Sequence, residues 1–492
     1  MTAKFSVIIR SIAKRSPIAR RPIEVDGFSS GGRKSSTTGN STVSSAERQD
    51  SWPKERQKQR DDSSGILRGM LLVCGFLLVA KLVAAGKEIV VAAQFGVSEV
   101  VDAYQLSFSL TQWPIAFFGA AIVSTVVPLV SRQRFDSRSH REAVGRFFAY
   151  VLILGCVACV LVVVGLPAII RSGVFPFALD QQNRIVRMTV ILGLAIPASL
   201  ASRFFAGCAI AARTHLNTLF ECLPAVMIIT CLTISSGENA LVFGGFLGLL
   251  FQSAMLGFSL FLIGSLPTPQ FSWPGKAEAD VLRGCGALIA AHFLLGTVDI
   301  VDQVVASTLN SGSIATLGYA NRVLALVLGL AATTICRSMF PVLATMSQTH
   351  DSRCVLTVLF WIGGVFVGAA VVAGGLAMYS GEIVKLIFER GAFMPEHTER
   401  VSAALRWGAS RVPPYVLTMV LVYAITSQRC PQRLIALGCL ICLSKIIAAT
   451  VLTYYYGLTG LIVSSTIVYA LAGVFGLWVF AHNKPSLIAP SG

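Results

Sequence analysis

The chain has 492 residues, of which 54% are hydrophobic and only 13% are charged, and its formal net charge is +16. A soluble globular protein carries roughly twice that share of charged residues, so this class is excluded. The apolar residues fall in runs of about 20, the length at which a helix spans a hydrocarbon core. The composition therefore predicts an all-α polytopic membrane protein and not a β-barrel, whose strands are shorter and alternate.

The first segment, residues 1–65, differs from everything that follows it. It is rich in Ser, Arg, Lys and Gly, a composition typical of disorder. We predict a disordered basic cytoplasmic tail, with a surface helix or a transit-peptide-like segment at 1–20 as the alternative. The excess positive charge lies in this tail and in alternate loops, so a membrane orientation signal is favoured over a nucleic-acid partner.

About twelve apolar spans follow the tail. They divide into an N-terminal six-helix lobe (66–264), a proline-containing cytoplasmic linker (265–280), a C-terminal six-helix lobe (281–482) and a short cytoplasmic tail (483–492). The predicted spans are 66–94, 104–130, 147–170, 185–210, 218–236, 241–264, 281–308, 318–345, 354–378, 401–426, 433–453 and 457–481.

The loop charges predict how these spans are oriented. The loop at 131–146 is strongly basic, whereas the loops at 96–102, 235–240 and 310–318 contain no basic residue. Basic loops stay in the cytoplasm, so both termini are predicted to be cytoplasmic. The loop at 389–400 is mixed in charge and falls on the outside.

The two halves of the chain contain a repeat. Residues 90–131 resemble residues 304–347, and Tyr104 matches Tyr319. Because each half has an even number of spans, both halves insert in the same orientation, related by a pseudo-twofold axis along the membrane normal. Parallel repeats of this kind are typical of transporters, whose substrate path runs between the halves.

Several ionisable residues lie inside the apolar spans, where each costs about 2.5–3.5 kcal/mol. Lys81, Lys87 and Glu88 lie in the first span, and Asp299 and Asp302 lie in the seventh. The repeat aligns Glu88 with Asp302, so each half has a carboxylate at an equivalent depth. Other ionisable residues within the spans are Arg203, Glu221, His292, Arg322, Arg337, Arg406, Arg411 and Lys445.

Two interpretations of these charges remain open. They are either internal ion pairs between the two bundles, such as Lys87 with Asp299, or the lining of a water-filled cavity. In the second case the cations bind an anionic headgroup, and the carboxylates bind a coupling proton or Na⁺. His292 shares a helical face with the two aspartates and is either a core histidine or part of a switch.

No enzyme signature is present in the sequence. It contains no P-loop, no zinc-type His/Cys spacing and no nucleophile elbow, so we expect a transporter without a cofactor or metal beyond a coupling ion. Prolines lie within predicted spans at Pro114, Pro197 and Pro413-Pro414. They are either packed kinks or hinges for alternating access.

Three stretches resemble the MurJ/MviN family, the lipid II flippases of the multidrug/oligosaccharidyl-lipid/polysaccharide exporter superfamily. They are "GKEIVVAAQFGVSEVVDAY" (86–104), "VDQVVASTLNSGSIATLGYANRVLALVLGLA" (301–331) and "IVKLIFERGAFMPEHTERVSAAL" (383–405). The resemblance covers roughly residues 66–480. It implies two six-helix lobes that open alternately, around a cationic cavity that binds a diphosphate-linked glycan.

The resemblance also implies roles for individual residues. The family's two first-helix arginines fall on Lys81 and Lys87, and the acidic residue after the second falls on Glu88. The Asp-Ala pair that opens its second helix falls on Asp102, and the Arg of its Tyr-Ala-Asp-Arg motif falls on Arg322. The implied diphosphate ligands are Lys81, Lys87 and Arg322. The implied charge-balancing or ion-coupling residues are Glu88, Asp102, His292, Asp299 and Asp302.

The sequence departs from the family in three ways. Lysine in place of arginine loses bidentate phosphate binding. The basic pair of the second helix is absent from 109–119, and about twelve spans replace the usual fourteen.

The expected function is alternating-access transport, across a bacterial inner membrane, of a polyprenyl-diphosphate-linked glycan: lipid II or an exopolysaccharide repeat unit. Alternatives are a drug/cation antiporter of the same superfamily and a non-transporting scaffold. Expected partners are membrane lipid, the glycan lipid and, through the tail, glycan-synthesis proteins.

Overall fold

The computed structural model describes most of the chain that follows the N-terminal tail. All regular structure in the described part is helical, and no strand occurs there, which confirms the all-α prediction. The predicted tails at 1–65 and 483–492 lie outside the described residues. The described ranges are 75–131, 138–173, 177–212, 214, 216–272, 276–346, 352–427 and 431–482.

The helices of these ranges are numbered in chain order. The first half contains α1 (75–95), α2 (Glu99–Ser131), α3 (Arg138–Val160), α4 (Leu166–Arg171), α5 (Leu179–Gly193), α6 (Ile196–Ala211), α7 (Leu216–Phe220), α8 (Leu223–Ile234) and α9 (Glu238–Leu262). A π-helical turn at Leu161–Gly165 joins α3 to α4. The second half contains α10 (Lys276–Ala306), α11 (Ser313–Met346), α12 (Ser352–Met378), α13 (Ser380–Phe388), α14 (Pro395–Ala409), α15 (Val412–Ser427) and α16 (Pro431–His482).

The helices are long and apolar enough for a multi-pass membrane protein. Six of the described helices meet the length and composition of a span, and up to eight do if each bent helix pair is one span. Each of the twelve predicted spans is mainly helical where the structure describes it. The count is lower than twelve partly because α1 carries three charged residues and because α16 counts once although it folds back on itself.

Prolines explain where several predicted spans are broken. Pro197 lies in the first turn of α6, and the α5–α6 pair bends by 41° at this break. Pro413 lies in the first turn of α15, where the predicted span 401–426 divides into α14 and α15. Proline is accepted in a first helical turn because its missing N–H has no partner there in any case. Pro114, by contrast, lies inside α2 without ending that helix.

Helix α16 is a hairpin of two antiparallel segments. Gly457 interrupts it with non-helical backbone angles of φ 58° and ψ −138°, which a side chain would strain. The chain then reverses direction. Two contacts between its segments show this: Gly460 packs against the Leu452 carbonyl, and Lys445 contacts Ser464. The reversal separates the last two predicted spans at the position that the sequence indicates.

Packing joins the helices into two groups that meet along α2. In the first half α2 packs on α5 and α6, and α9 packs on α6 and α8. In the second half α11 packs on α14 and α15, and α15 packs on α16. Helix α10 packs on both α16 and α2, and α11 also contacts α2. One apolar cluster therefore contains residues of both halves, such as Tyr104 and Leu192 with Tyr319 and Phe393.

The two halves are joined by extended chain that crosses α3. Residues 265–272 have no regular structure, and α10 begins at Lys276, inside the predicted linker. The Gln270 N–H donates to the Gly145 carbonyl (3.1 Å), and the Tyr150 hydroxyl donates to the Ser272 carbonyl (2.7 Å). The linker is thus attached to the first half at both of these points.

Candidate functional site

At one end of the bundle, hydrogen bonds join the two halves; we call this the closed end and define it by residues 93–102, 310–319 and 388–397. Asp102 on α2 is buried, and its carboxylate accepts two backbone hydrogen bonds of 2.6 Å, from the N–H groups of Gly312 and Ala315. These N–H groups begin α11, where no intrahelical partner exists and the helix dipole favours a negative charge. Asp102 of the first half therefore caps a helix of the second half.

Backbone contacts close the same end where α1 stops. The Ala392 N–H donates to the Ala93 carbonyl (2.8 Å), and the Tyr319 hydroxyl donates to the Gly96 carbonyl (3.0 Å). Gly96 and Gly391 both have positive φ, at 57° and 62°. A side-chain carbon at Gly391 would overlap the Ala93 carbonyl.

The most specific of the family-like stretches supplies the second half's contribution to this end. Phe388 and Phe393, on either side of the "ERGA" turn, pack against the ring of Tyr319, with centroids 5.1 and 5.5 Å apart. Helix α13, which the predicted spans do not include, positions Phe388 by burying Ser380, Val384 and Phe388 on one face. The motif therefore has a structural role: its two phenylalanine rings fill the space around Tyr319 and close this end of the bundle.

Replacing Gly391 by alanine is expected to destabilise the closed end. The left-handed backbone costs about 1–2 kcal/mol with a side chain, and the overlap with Ala93 adds to it. Thermal unfolding of the purified protein should begin several degrees lower. Gly375→Ala on α12 is the matched control, since no atom of the described residues lies within 4 Å of its added carbon and helix propensity favours alanine. Equal midpoints for the two variants would contradict the interpretation.

Just below the closed end, the first and second halves share a charged cluster. The Lys87 ammonium lies 2.7 Å from the Glu88 carboxylate, and the Arg322 guanidinium of α11 lies 2.9 Å from the same carboxylate oxygen. The Lys87 and Glu88 side chains are almost fully buried, whereas 44% of the Arg322 side chain is exposed. The structure thus brings together Lys87, Glu88 and Arg322, and the alternative pairing of Lys87 with Asp299 is wrong.

The two tyrosines matched by the repeat lie around this cluster. Tyr104 and Tyr319 are both buried and both within electrostatic range of Glu88 and Arg322. The Tyr104 hydroxyl has no hydrogen-bond partner among the described residues. It is a buried polar group available to a ligand or a water molecule beside the ion pairs.

Lys81 lies apart from the other two predicted diphosphate ligands. It is exposed on α1, about 9 Å along the helix axis from Lys87 by the helical rise. Lys81 and Arg203 are the cations that act electrostatically on Glu221. These three residues form a separate charged cluster within the first half.

The aspartates of α10 have different environments although they lie one turn apart. Asp302 is buried, and its Oδ1 lies 2.6 Å from the Lys445 ammonium of α16. Asp299 is exposed and makes no ion pair with any described residue. His292 is half-buried on the same helix. Arg411 donates to the Asn321 side chain (2.9 Å), at the position where the family has aspartate.

The stretch that lacks the family's basic pair forms an apolar contact between the halves. Trp113 and Phe117 of α2 pack on Phe293 of α10, with ring centroids 4.8 and 5.4 Å apart. Aromatic rings at these separations pack favourably in edge or tilted geometry. Cations are therefore replaced here by a hydrophobic junction of α2 with α10.

Comparison with known proteins assigns this arrangement to a family. Residues 91–490 match the family described as "Lipid II flippase MurJ". The chain belongs to the MurJ lipid II flippase family. The probable lipid II flippase MurJ of Vibrio cholerae is 24% identical over 433 residues, which cover 82% of this chain and 81% of that protein. The lipid II flippase MurJ of Burkholderia cenocepacia is 23% identical over 76% of each chain.

Solved structures share the fold of the MurJ-family chain. A lipid II flippase MurJ in an inward closed conformation gives a TM-score of 0.71 at 18% identity, over 84% of this chain and 87% of the other. A multidrug resistance MATE family transporter in an inward-facing conformation gives 0.68 at 16% identity, over 82% and 93%. These matches confirm the predicted fold class, an all-helical multi-pass transporter of the MurJ and MATE type.

Sequence reasoning singled out the ionisable residues of the MurJ-family site but missed how some of them are used. Lys445 was visible only as a charge in an apolar run, with no partner assigned. Ser464 and Ser465, which contact it, carry no signal in an apolar helix rich in small residues. Among the described residues, no group of three His, Cys, Asp or Glu side chains has a metal-binding arrangement.

Proposed function

We propose that the protein translocates a polyprenyl-diphosphate-linked glycan by alternating access, with Lys87 and Arg322 as the central diphosphate ligands. The observation that carries the proposal is the cluster in which Arg322 of one half reaches the Lys87–Glu88 pair of the other. A ligand that binds there contacts both halves at once. Lys81, exposed farther along α1, extends the positive surface away from the closed end.

Glu88 gives this site a way to release its substrate. Without ligand, its carboxylate balances the charges of Lys87 and Arg322. A diphosphate is also anionic, and arginine binds a phosphate group, like a carboxylate, through two parallel hydrogen bonds. The substrate diphosphate therefore displaces Glu88 from the exposed Arg322 guanidinium. When the substrate leaves, the Glu88 carboxylate pairs with that guanidinium again.

The closed end is the barrier that must open in the cycle. The hydrogen bonds between the two halves at this end are the two that Asp102 accepts from the start of α11, and those that Tyr319 and Ala392 donate to the end of α1. The loop charges favour an orientation with this end outside the cell and both termini in the cytoplasm. The described state then faces the cytoplasm.

The substrate is lipid II or an exopolysaccharide repeat unit on the same carrier. Both present a diphosphate to the cluster, and the glycan distinguishes them. The N-terminal tail, which precedes α1 on the cytoplasmic side, is the proposed contact for glycan-synthesis proteins. A bacterial inner membrane is the proposed location, in keeping with a substrate made on the cytoplasmic face.

Complementation tests which glycan is moved. In a bacterial strain depleted of its own lipid II flippase, expression of this chain should restore growth if lipid II is the substrate. The Arg322→Ala variant, expressed to the same level, should not restore it, because the exposed diphosphate ligand is lost. Failure of the unaltered chain, with normal membrane insertion, would overturn lipid II and leave the exopolysaccharide unit as the substrate.

A further inference from the structure

The second half contains an ammonium group inside a shell of oxygen atoms. The Lys445 Nζ lies 2.6 Å from Asp302 Oδ1, 2.8 Å from Ser464 Oγ and 2.7 Å from Ser465 Oγ. All four residues are buried, and Lys445 and Ser464 are 0% exposed. The two serine hydroxyls accept hydrogen bonds from the ammonium, and the carboxylate supplies the opposite charge in an ion pair.

This oxygen shell has the composition of a site for a free cation. One carboxylate and two hydroxyls offer hard oxygen ligands and a single negative charge, which suits a monovalent ion such as Na⁺. The Ser465 hydroxyl also donates to Asp302 Oδ2 (3.3 Å), which holds the carboxylate in place. The sequence predicted that Asp302 either balances a charge or binds a coupling ion. Its carboxylate is instead occupied by a cation that belongs to the chain.

Two separate segments build the oxygen shell and a third supplies the ammonium, which makes it a defined site and not a local pairing. Asp302 comes from α10, Lys445 from the first segment of α16, and Ser464 and Ser465 from the segment after the Gly457 reversal. A lysine with no water contact is tolerated only with a fixed counter-charge, since an unpaired buried charge is very costly. The α16 hairpin and α10 are therefore held together by the tethered ammonium.

We infer that Asp302, Ser464 and Ser465 form a monovalent-cation site whose permanent occupant is the Lys445 side chain, so that free Na⁺ does not bind there. The lysine supplies the charge that an exchangeable ion would supply. Removing the side chain beyond its β-carbon leaves the oxygen atoms in place and opens the space that the ammonium fills. The vacated shell then binds Na⁺ from solution.

The test is the thermal stability of the purified full-length protein in detergent, with NaCl exchanged for choline chloride at constant ionic strength. Wild type should have the same unfolding midpoint in both salts. Lys445→Ala should unfold several degrees earlier in choline, and Na⁺ should raise its midpoint with a saturable dependence, as expected for a ligand that binds only the folded state. Radioactive Na⁺ should bind this variant at one saturable site and leave wild type unlabelled.

Two further variants separate the cation site from a purely structural ion pair. Lys445→Ala combined with Asp302→Asn should be insensitive to Na⁺, because the carboxylate ligand is gone. Lys385→Ala, which removes an exposed lysine on α13, should behave as wild type in both salts. A Lys445→Ala protein that Na⁺ neither binds nor stabilises would overturn the inference. So would a wild-type midpoint that rises with Na⁺ and loses this response in Asp302→Asn, a result that does not need Lys445→Ala to fold.

Discussion

Replacing Lys87 by methionine is expected to slow transport strongly. The substitution removes a diphosphate ligand, and the loss of one charged hydrogen bond costs about 1.5–3 kcal/mol, or roughly 10–100-fold in transport rate. It also leaves Glu88 with one fewer cation in a buried position, which adds a structural penalty. The measurement is flipping of a diphosphate-linked glycan lipid in reconstituted vesicles, together with the amount of folded protein.

A double variant separates ligand binding from ion-pair stability. In Lys87→Met combined with Glu88→Gln, neither buried charge remains, and replacing both members of a buried pair is often close to neutral for stability. Arg322 tolerates the loss of Glu88 because nearly half of its side chain is exposed. We expect the double variant to regain normal thermal stability while its transport rate stays as low as that of the single variant. If transport returned with stability, Lys87 would have a structural role only, and the proposed diphosphate site would be wrong.

Replacing Asp102 by alanine is expected to open the closed end. The variant loses two charge-assisted hydrogen bonds to the first turn of α11, each contributing about 1.5–3 kcal/mol, or about 3–6 kcal/mol in total. Since 1.4 kcal/mol is a tenfold change in population, the open state should become at least ten times more frequent. Thiol labelling of Thr316→Cys, at a position only 3% exposed, should accelerate by the same factor.

Glu99→Ala provides the control for the Asp102 prediction. Glu99 is an acidic residue in the same first turn of α2, but it is exposed, with Arg184 at 3.8 Å and the Ser311 hydroxyl at 3.4 Å. Exposed pairs of this kind contribute little to stability. Labelling at position 316 should therefore stay close to the parent rate. An equal acceleration in both variants would mean that general loss of negative charge, and not the helix cap, controls the opening.

The architecture could be predicted from the sequence because it depends on local patterns. Apolar runs indicate the spans, prolines mark the helix breaks before α6 and α15, and glycine marks the reversal in α16. The charged residues inside the spans were also identifiable, since any such residue is rare and costly. The repeat correctly matched Glu88 with Asp302 as two buried carboxylates.

The pairing of these charges could not be predicted, because it depends on packing between distant segments. Asp102 caps α11 only because the two halves approach at the closed end, and nothing local in α2 indicates that contact. Lys445 meets Ser464 and Ser465 only through the Gly457 reversal. Lys87 turns to its neighbour Glu88, which Arg322 also holds, and this leaves Asp299 without an ion pair to any described residue. The position of each charged residue along its span does not determine which of these pairings forms.

The most direct test of the diphosphate site is a comparison of carrier-lipid binding to the purified full-length protein. A polyprenyl diphosphate and the corresponding polyprenyl alcohol share the same tail and differ only in the group that Lys87 and Arg322 are proposed to bind. We predict that the diphosphate binds at least tenfold more tightly and that Arg322→Ala removes this preference without changing the affinity for the alcohol. Equal binding of the two lipids by the unaltered protein would contradict the proposal.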